Sequence, residues 1–329
     1  MSRTVCFFVE GVDAEALQRI EFYAQDIRIL RDAGFDIQFA SRLSDLRPAD
    51  LFFVWWWTWA LAPIVYAKLL RRPVIVTGVL DVNYYQPRPW WHKAGMRRAF
   101  AMADANVFTS ELELRELPRM FRVRNPSYVP LTVDDASYSP NGRRRDNLVC
   151  TVGWLQQPNA TRKCIAEVIR AAALVHERRP DARFVIAGAK GNFADEAAAL
   201  IRDVGADGYV QLPGAISREE KIRLMRECAV YLQPTRYEGF GLAILEAMSC
   251  GAPVVTSPSG AVPEVVGDTA LMVDGTSPAS IADGVLRYLD SPTLREEMGR
   301  RARRRAVERF RYAERRDKMI ALIERLVTT

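Results

Sequence analysis

Only two histidines occur in the 329 residues, His92 and His176, and neither has a metal-ligating partner one helical turn on. A zinc centre and a Ser-His-Asp hydrolase both need more than that. No Asp-x-Asp pair occurs, so the chain lacks a short motif for a metal-bound diphosphate. The cysteines Cys6, Cys150, Cys164, Cys228 and Cys250 form no Cys-x-x-Cys pair. An odd, scattered set reads as reduced thiols in a cytoplasmic protein, not as a disulfide frame. The opening MSRTVCFFVEG enters a strand-like run directly and reads as lacking a signal peptide. Long apolar runs are scarce. Leu51 to Ala67 is uncharged, but it contains Pro63 and is at the short limit for a spanning helix. It reads as a buried strand over Leu51–Trp55, a loop, and a helix ending near Arg71.

What is present suits two hydrophobic cores. The length predicts two domains, and 49% of the residues are hydrophobic. The net charge of +6 is unevenly placed: residues 295–329 hold twelve Lys/Arg against six Asp/Glu, a surplus equal to that of the whole chain. Strand-like runs alternate with helical periods throughout. TVCFFV, DIQFA, LFFVW, VIVT, ANVFT and SYVP mark the first half. The polar, turn-rich stretch DDASYSPNGRRRDN, residues 134–147, reads as a linker. The alternation then resumes with NLVCTVG, RFVIAG, YVQLPG, AVYLQP, PVVTS and ALMVD. This is the βαβ order of parallel, doubly wound sheets. The expected domains are 1–140 and 147–310, with a helical tail over 311–329. Two such domains imply a cleft between the carboxyl ends of two sheets, a natural nucleotide site. Ser217 and Glu220 predict a capping box, and Ser291-Pro292 predicts a helix start.

The stretch YEGFGLAILEAMSCGAPVVTS, Tyr237 to Ser257, carries two glutamates, Glu238 and Glu246, eight residues apart. A helix is expected from about Gly241 to Gly251. Glu246 lies within it among apolar residues on every side, the mark of a buried helix. A carboxylate there needs a partner: a salt bridge to a nearby arginine, or the hydroxyls of a ligand. Glu238 precedes the helix N-terminus, where a carboxylate is favoured by the helix dipole, and the adjacent glycines let backbone amides approach an anion. In GWLQQPNATRKC, Thr161 is expected to cap a helix running to about Arg178, which places Arg162 and Lys163 in its first turn. Cations there oppose the dipole unless an anion binds; two solvated surface residues are the plainer reading.

Together, VYLQPTRY, LPGAISREEKIRLM and EGFGLAILEAMSCGAPVVTSPSGAVPEVVGDTALMVD resemble the retaining glycosyltransferases of family 4, with the two-glutamate spacing Glu238-x7-Glu246. The resemblance is close over about 147–310 and loose before it. It implies an α/β fold of two doubly wound Rossmann-like domains facing across a cleft, the GT-B arrangement. It also implies a nucleoside-diphosphate sugar as donor and no separate cofactor; with no Asp-x-Asp pair and with Arg162 and Lys163 at a helix end, transfer is expected to need no metal. Glu246 would take the ribose hydroxyls and Glu238 the hydroxyls of the sugar. The amides of Gly239, Phe240, Gly241 and Leu242, with Lys163 and Arg162, would face the diphosphate, and Leu212 and Gly214 would lie near the base. On the acceptor side stand Gly11, Asp13 and Asp81, serving a glycan or lipid-linked acceptor.

Three positions depart from the family. Trp154 follows Gly153 where arginine is usual, VTGVLD lacks a histidine, and EGVDAE lacks a glycine pair. A non-catalytic nucleotide- or sugar-binding homologue is therefore a second reading. A nucleic-acid binder is a third, and no nucleic-acid partner is expected because the basic surplus is confined to the tail. That tail, dense over Arg300–Arg305, suggests attachment to an anionic inner membrane face, or else a solvated helix paired with Glu296, Glu297, Glu308 and Glu314.

Overall fold

Strands of a parallel sheet are covered on both faces, so they read as unbroken apolar runs. LFFVW and CAVYLQ are such runs, and both are buried along their whole length. The computed structural model describes residues 3–80 and 85–328. It divides into two compact units, Met1–Thr132 with Tyr312–Thr329, and Val133–Arg311.

Unit one holds β1 (Arg3–Phe8), β2 (Phe35–Ala40), β3 (Leu51–Trp55), β4 (Val74–Gly78), β5 (Ala105–Phe108) and β6 (Pro126–Tyr128), all parallel and in the order β2-β1-β3-β4-β5-β6. The run Leu51–Ala67 resolves as expected, into β3 and a helix, Leu61–Leu69. No described helix is long and apolar enough to cross a membrane. The last helix, Tyr312–Val327, belongs to this unit. Its Arg315 is fully buried, pairs with Asp26, and donates to the carbonyls of Val129 and Pro130.

Unit two holds β7 (Arg145–Val152), β8 (Arg183–Ala187), β9 (Val210–Gly214), β10 (Cys228–Gln233), β11 (Val254–Thr256) and β12 (Ala270–Met272), again parallel. Their order is β12-β11-β10-β7-β8-β9. The sheet is thus wound outward in both directions from β7 and β10. Each sheet with its helices forms a doubly wound α/β unit, as expected. All five cysteines are free and buried.

The stretch 134–147 is not a solvated linker throughout. Tyr138 is fully buried, Ser249 donates to its carbonyl, and Arg226 donates to the carbonyls of Ser137 and Ser139. An aromatic side chain gains more from burial than the surrounding turn formers gain from hydration.

Candidate functional site

Ligands of open parallel sheets bind outside the strand carboxyl ends, where the winding reverses. In unit two that point lies between β7 and β10, and the segments leaving these strands carry most of the candidate residues.

After β7 comes a short helix, Asn159–Arg162. Cys164 is left-handed (φ 50°, ψ 39°) and opens the longer helix Ile165–Arg178. This corrects the expectation that Thr161 caps one continuous helix with both cations in its first turn. The break at Cys164 turns Arg162 and Lys163 off the long helix. Lys163 folds back across the end of β7, its Nζ donating to the Val152 carbonyl at 3.1 Å and to Gln233 Oε1 at 3.2 Å. It is only 8% exposed, so the solvated-surface reading does not hold for it. Burial is the largest influence on its pKa, pushed down to about 8; Glu238 opposes the shift and Arg162 adds to it. A Cβ on Gly153 would lie 2.8 Å from Lys163 Cδ, so that glycine leaves a lane for the lysine stem.

Arg162 reaches the segment after β10. Its Nη1 donates to Glu238 Oε2 and to the Tyr237 carbonyl, at 2.8 and 2.9 Å, and Nη2 donates to Asn159 Oδ1 at 2.8 Å. Gln233, buried at the end of β10, links these groups. Its Nε2 donates to Glu238 Oε2 at 3.2 Å, and its Oε1 accepts from the Tyr231 hydroxyl as well as from Lys163. The Glu238 backbone is held by Ala261, whose amide donates to its carbonyl at 2.8 Å. Gly260 is essential to that contact: its φ is +61°, and a Cβ there would sit 2.1 Å from the same carbonyl oxygen.

Gly241, at φ +94°, begins the helix Leu242–Ser249, whose first amides receive no capping side chain from Gly241. Gly239, Phe240 and Leu242 flank that turn. The Phe240 ring is a core group, buried edge-on to Phe310 at 5.7 Å, so only its backbone is suited to an anion. Glu246 is 3% exposed, and its Oε1 accepts from Lys221 Nζ at 2.7 Å and from the Tyr138 hydroxyl at 3.0 Å. A salt-bridge partner thus exists, and it is a lysine. Lys221 is positioned by the helix Arg218–Glu227, whose Ser217–Glu220 capping box forms as expected.

Leu212 and Gly214 end β9, on the far side of β7 and β8 from β10. Lys190 runs beside Gly214, its Cε 3.6 Å from where a Cβ would stand. A cavity of about 590 Å³ opens beside Thr235, Arg236, Ser257, Ser259 and Asp274. Lys163, Glu238 and Glu246 do not line it, and the strand-end convergence rather than this cavity defines the candidate site.

The acceptor-side candidates fare differently. Gly11 and Asp13 follow β1, which borders the winding reversal of unit one. Gly11 donates its amide to the Ser41 carbonyl. Asp13 caps the helix Ala14–Arg19 by accepting from the Ala16 amide at 2.7 Å, so it has a structural task already. Asp81 lies outside the described residues. In the basic tail, Arg295 pairs with Asp146 and Arg301 with Asp268. Arg303 donates to the carbonyls of Tyr138 and Ser249, and Arg305 to those of Val265 and Glu264. Much of the cluster ties the helix Pro292–Arg309 to its own unit, while Arg300 and Arg304 stay exposed.

Residues 140–305 match the family described as Glycosyl transferases group 1. The chain belongs to that family. The match covers the switch-point cluster of this group 1 chain, including Lys163, Glu238 and Glu246. The chain is 28% identical, over 257 residues, to the MMP alpha-(1->4)-mannosyltransferase of Mycolicibacterium hassiacum, covering 72% of this chain and 60% of that one. It thus spans less than two thirds of that relative's length. Among solved structures, sucrose-phosphate synthase from Thermosynechococcus elongatus superposes with a TM-score of 0.82 at 18% identity, covering 99% of each chain. Anabaena HepE, solved in complex with UDP and glucose, superposes with a TM-score of 0.81 at 15% identity, covering 98% of this chain and 100% of that one. These likenesses describe the fold, an α/β fold of the GT-B type.

Proposed function

We propose that this group 1 chain is a family 4 glycosyltransferase that moves a sugar from a nucleoside-diphosphate donor to a glycan or lipid-linked acceptor, with retention and without a metal. The observation that carries the reading is the convergence of Lys163, Arg162, Gln233 and Glu238 at the carboxyl ends of β7 and β10. Departure of a nucleoside diphosphate leaves negative charge on its oxygens. Preorganised cations and amides aimed at such charge lower the barrier, each by roughly 3–4 kcal/mol in favourable cases. Lys163 and the amides of Gly239–Leu242 supply that stabilisation. Arg162, bonded to Glu238, orients the carboxylate toward the sugar hydroxyls. Glu246 holds the ribose hydroxyls, and Gly214 and Leu212 flank the base. The names of the curated relatives, which are transferases, support this reading over a non-catalytic homologue.

A thermal-shift panel with uridine, guanosine and adenosine diphosphates tests the donor site. A ligand at a hundredfold excess over its Kd adds about 2.7 kcal/mol to stability. One base is expected to raise the melting temperature by several degrees in the wild type and by far less in Glu246→Ala. A panel without any shift rejects the reading.

A further inference from the structure

The outer layer of unit one carries a surface that the donor site does not use. The helices Leu61–Leu69 and Trp90–Met102 follow the adjacent parallel strands β3 and β4, so right-handed crossovers put both on one face of the sheet. They pack side by side. The second helix buries Met96, Ala99 and Phe100. Its outer side begins with Trp90 and Trp91, 80% and 55% exposed, and continues with the exposed Arg97 and Arg98. The first helix exposes Val65 and Leu69, and Trp59, 46% exposed, stands just before it. The His92 ring lies between Trp59 and Trp91, with centroids 5.2 and 3.9 Å away. Single exposed apolar side chains are ordinary on a protein surface, but a joined set marks an interaction site.

The segment that builds this face is mostly basic. Leu51 to Ala103 contains seven Lys/Arg and a single acid, Asp81. Lys68 is paired with Asp104 and Arg72 with Asp50, while Arg97 and Arg98 form no ion pair among the described residues. We infer that this face docks on an anionic lipid bilayer, with Trp90 and Trp91 at headgroup level and Arg97 and Arg98 against anionic headgroups. Indole rings favour the membrane–water interface, and basic side chains are drawn to an anionic leaflet. A glycan platform would use the tryptophans but would call for neither the aliphatic Val65 and Leu69 nor two arginines without acids. The inference is independent of the sugar-transfer reading. It also moves membrane contact away from the basic tail, where Arg301, Arg303 and Arg305 serve internal bonds.

The test is co-sedimentation of the full chain with phosphatidylcholine vesicles, with and without phosphatidylglycerol. The wild type is expected to sediment with the anionic vesicles only. Trp90→Ser with Trp91→Ser should lower the partition coefficient by roughly tenfold or more. Arg97→Glu with Arg98→Glu should lower it on the order of a hundredfold, and Arg300→Glu with Arg304→Glu should leave it within about twofold. Unchanged circular dichroism establishes that the variants are folded. Quenching of wild-type tryptophan fluorescence by brominated lipid reads the same contact without any variant. No sedimentation of the wild type, no quenching, or binding that survives the Trp90 and Trp91 changes but not the Arg300 and Arg304 changes would overturn the inference. Tryptophan quenching by a soluble maltooligosaccharide, without vesicle binding, would assign the face to glycan instead.

Discussion

Arg162 Nη1 stands 2.8 Å from Glu238 Oε2, although 76 positions separate the two residues in the chain. Each leaves one of the two strands that flank the winding reversal of unit two. The pair is partly shielded from solvent, so its geometry fixes where the carboxylate points. A double-mutant cycle of Arg162→Ala and Glu238→Gln, read on kcat/KM for the donor, should give a coupling of about 1–3 kcal/mol. Additive effects would show that the two residues act separately.

Lys163 gives the site a pH dependence. Burial brings its pKa down to about 8. The ammonium form is the one that stabilises a departing diphosphate, so kcat/KM for the donor should fall as pH rises through about 8. The same profile in Lys163→Met should lack that alkaline limb. An identical limb in both proteins would place the titrating group elsewhere.

Glu246 tests binding apart from turnover. A hydrogen bond to a charged group contributes about 1.5–3 kcal/mol, so Glu246→Ala should weaken nucleotide binding by roughly tenfold or more in calorimetry. Tyr138→Phe removes one supporting bond. It should lower stability by about 1 kcal/mol while leaving nucleotide affinity within a few-fold. Equal losses of affinity in both variants would contradict the assignment.

The sequence made Glu246 conspicuous because its helix is apolar all round, and burial of 244–249 follows from that pattern. The capping box at Ser217 and the strand Leu51–Trp55 were legible for the same reason: each is a local pattern with a local cause. What escaped the sequence depends on distant or unusual geometry. Tyr138 sits in a polar stretch, and its partner is 108 residues away. The left-handed turn at Cys164 is a conformation that few non-glycine residues adopt, so one helix was expected where two occur. Gln233 carried a weak signal, a polar residue at the end of a wholly buried strand. Asp13 was assigned to the acceptor side, whereas capping the helix Ala14–Arg19 is the role its geometry displays.

Glu113 offers a test in unit one. It is buried, accepts from the Leu80 amide at 2.8 Å, and has its pKa pushed up to about 8 by burial, against the hydrogen bonds that oppose the shift. The folded state therefore holds a proton that the unfolded chain releases near 4.5. Stability should fall between about pH 4.5 and 8 by up to about 1.4 kcal/mol per pH unit from this group, then level off. Glu113→Gln keeps an acceptor for Leu80 and should remove that part of the slope in urea titrations. A variant with the wild-type slope would contradict it.

The most direct measurement of the central claim follows nucleoside-diphosphate release from a panel of nucleotide sugars, in the presence of EDTA, by the wild type and by Lys163→Ala. The account predicts release from at least one donor that chelation does not abolish, and a rate for Lys163→Ala lower by on the order of 10²–10³-fold. Release that requires an added divalent metal, or a Lys163→Ala rate within about threefold of the wild type, would contradict it.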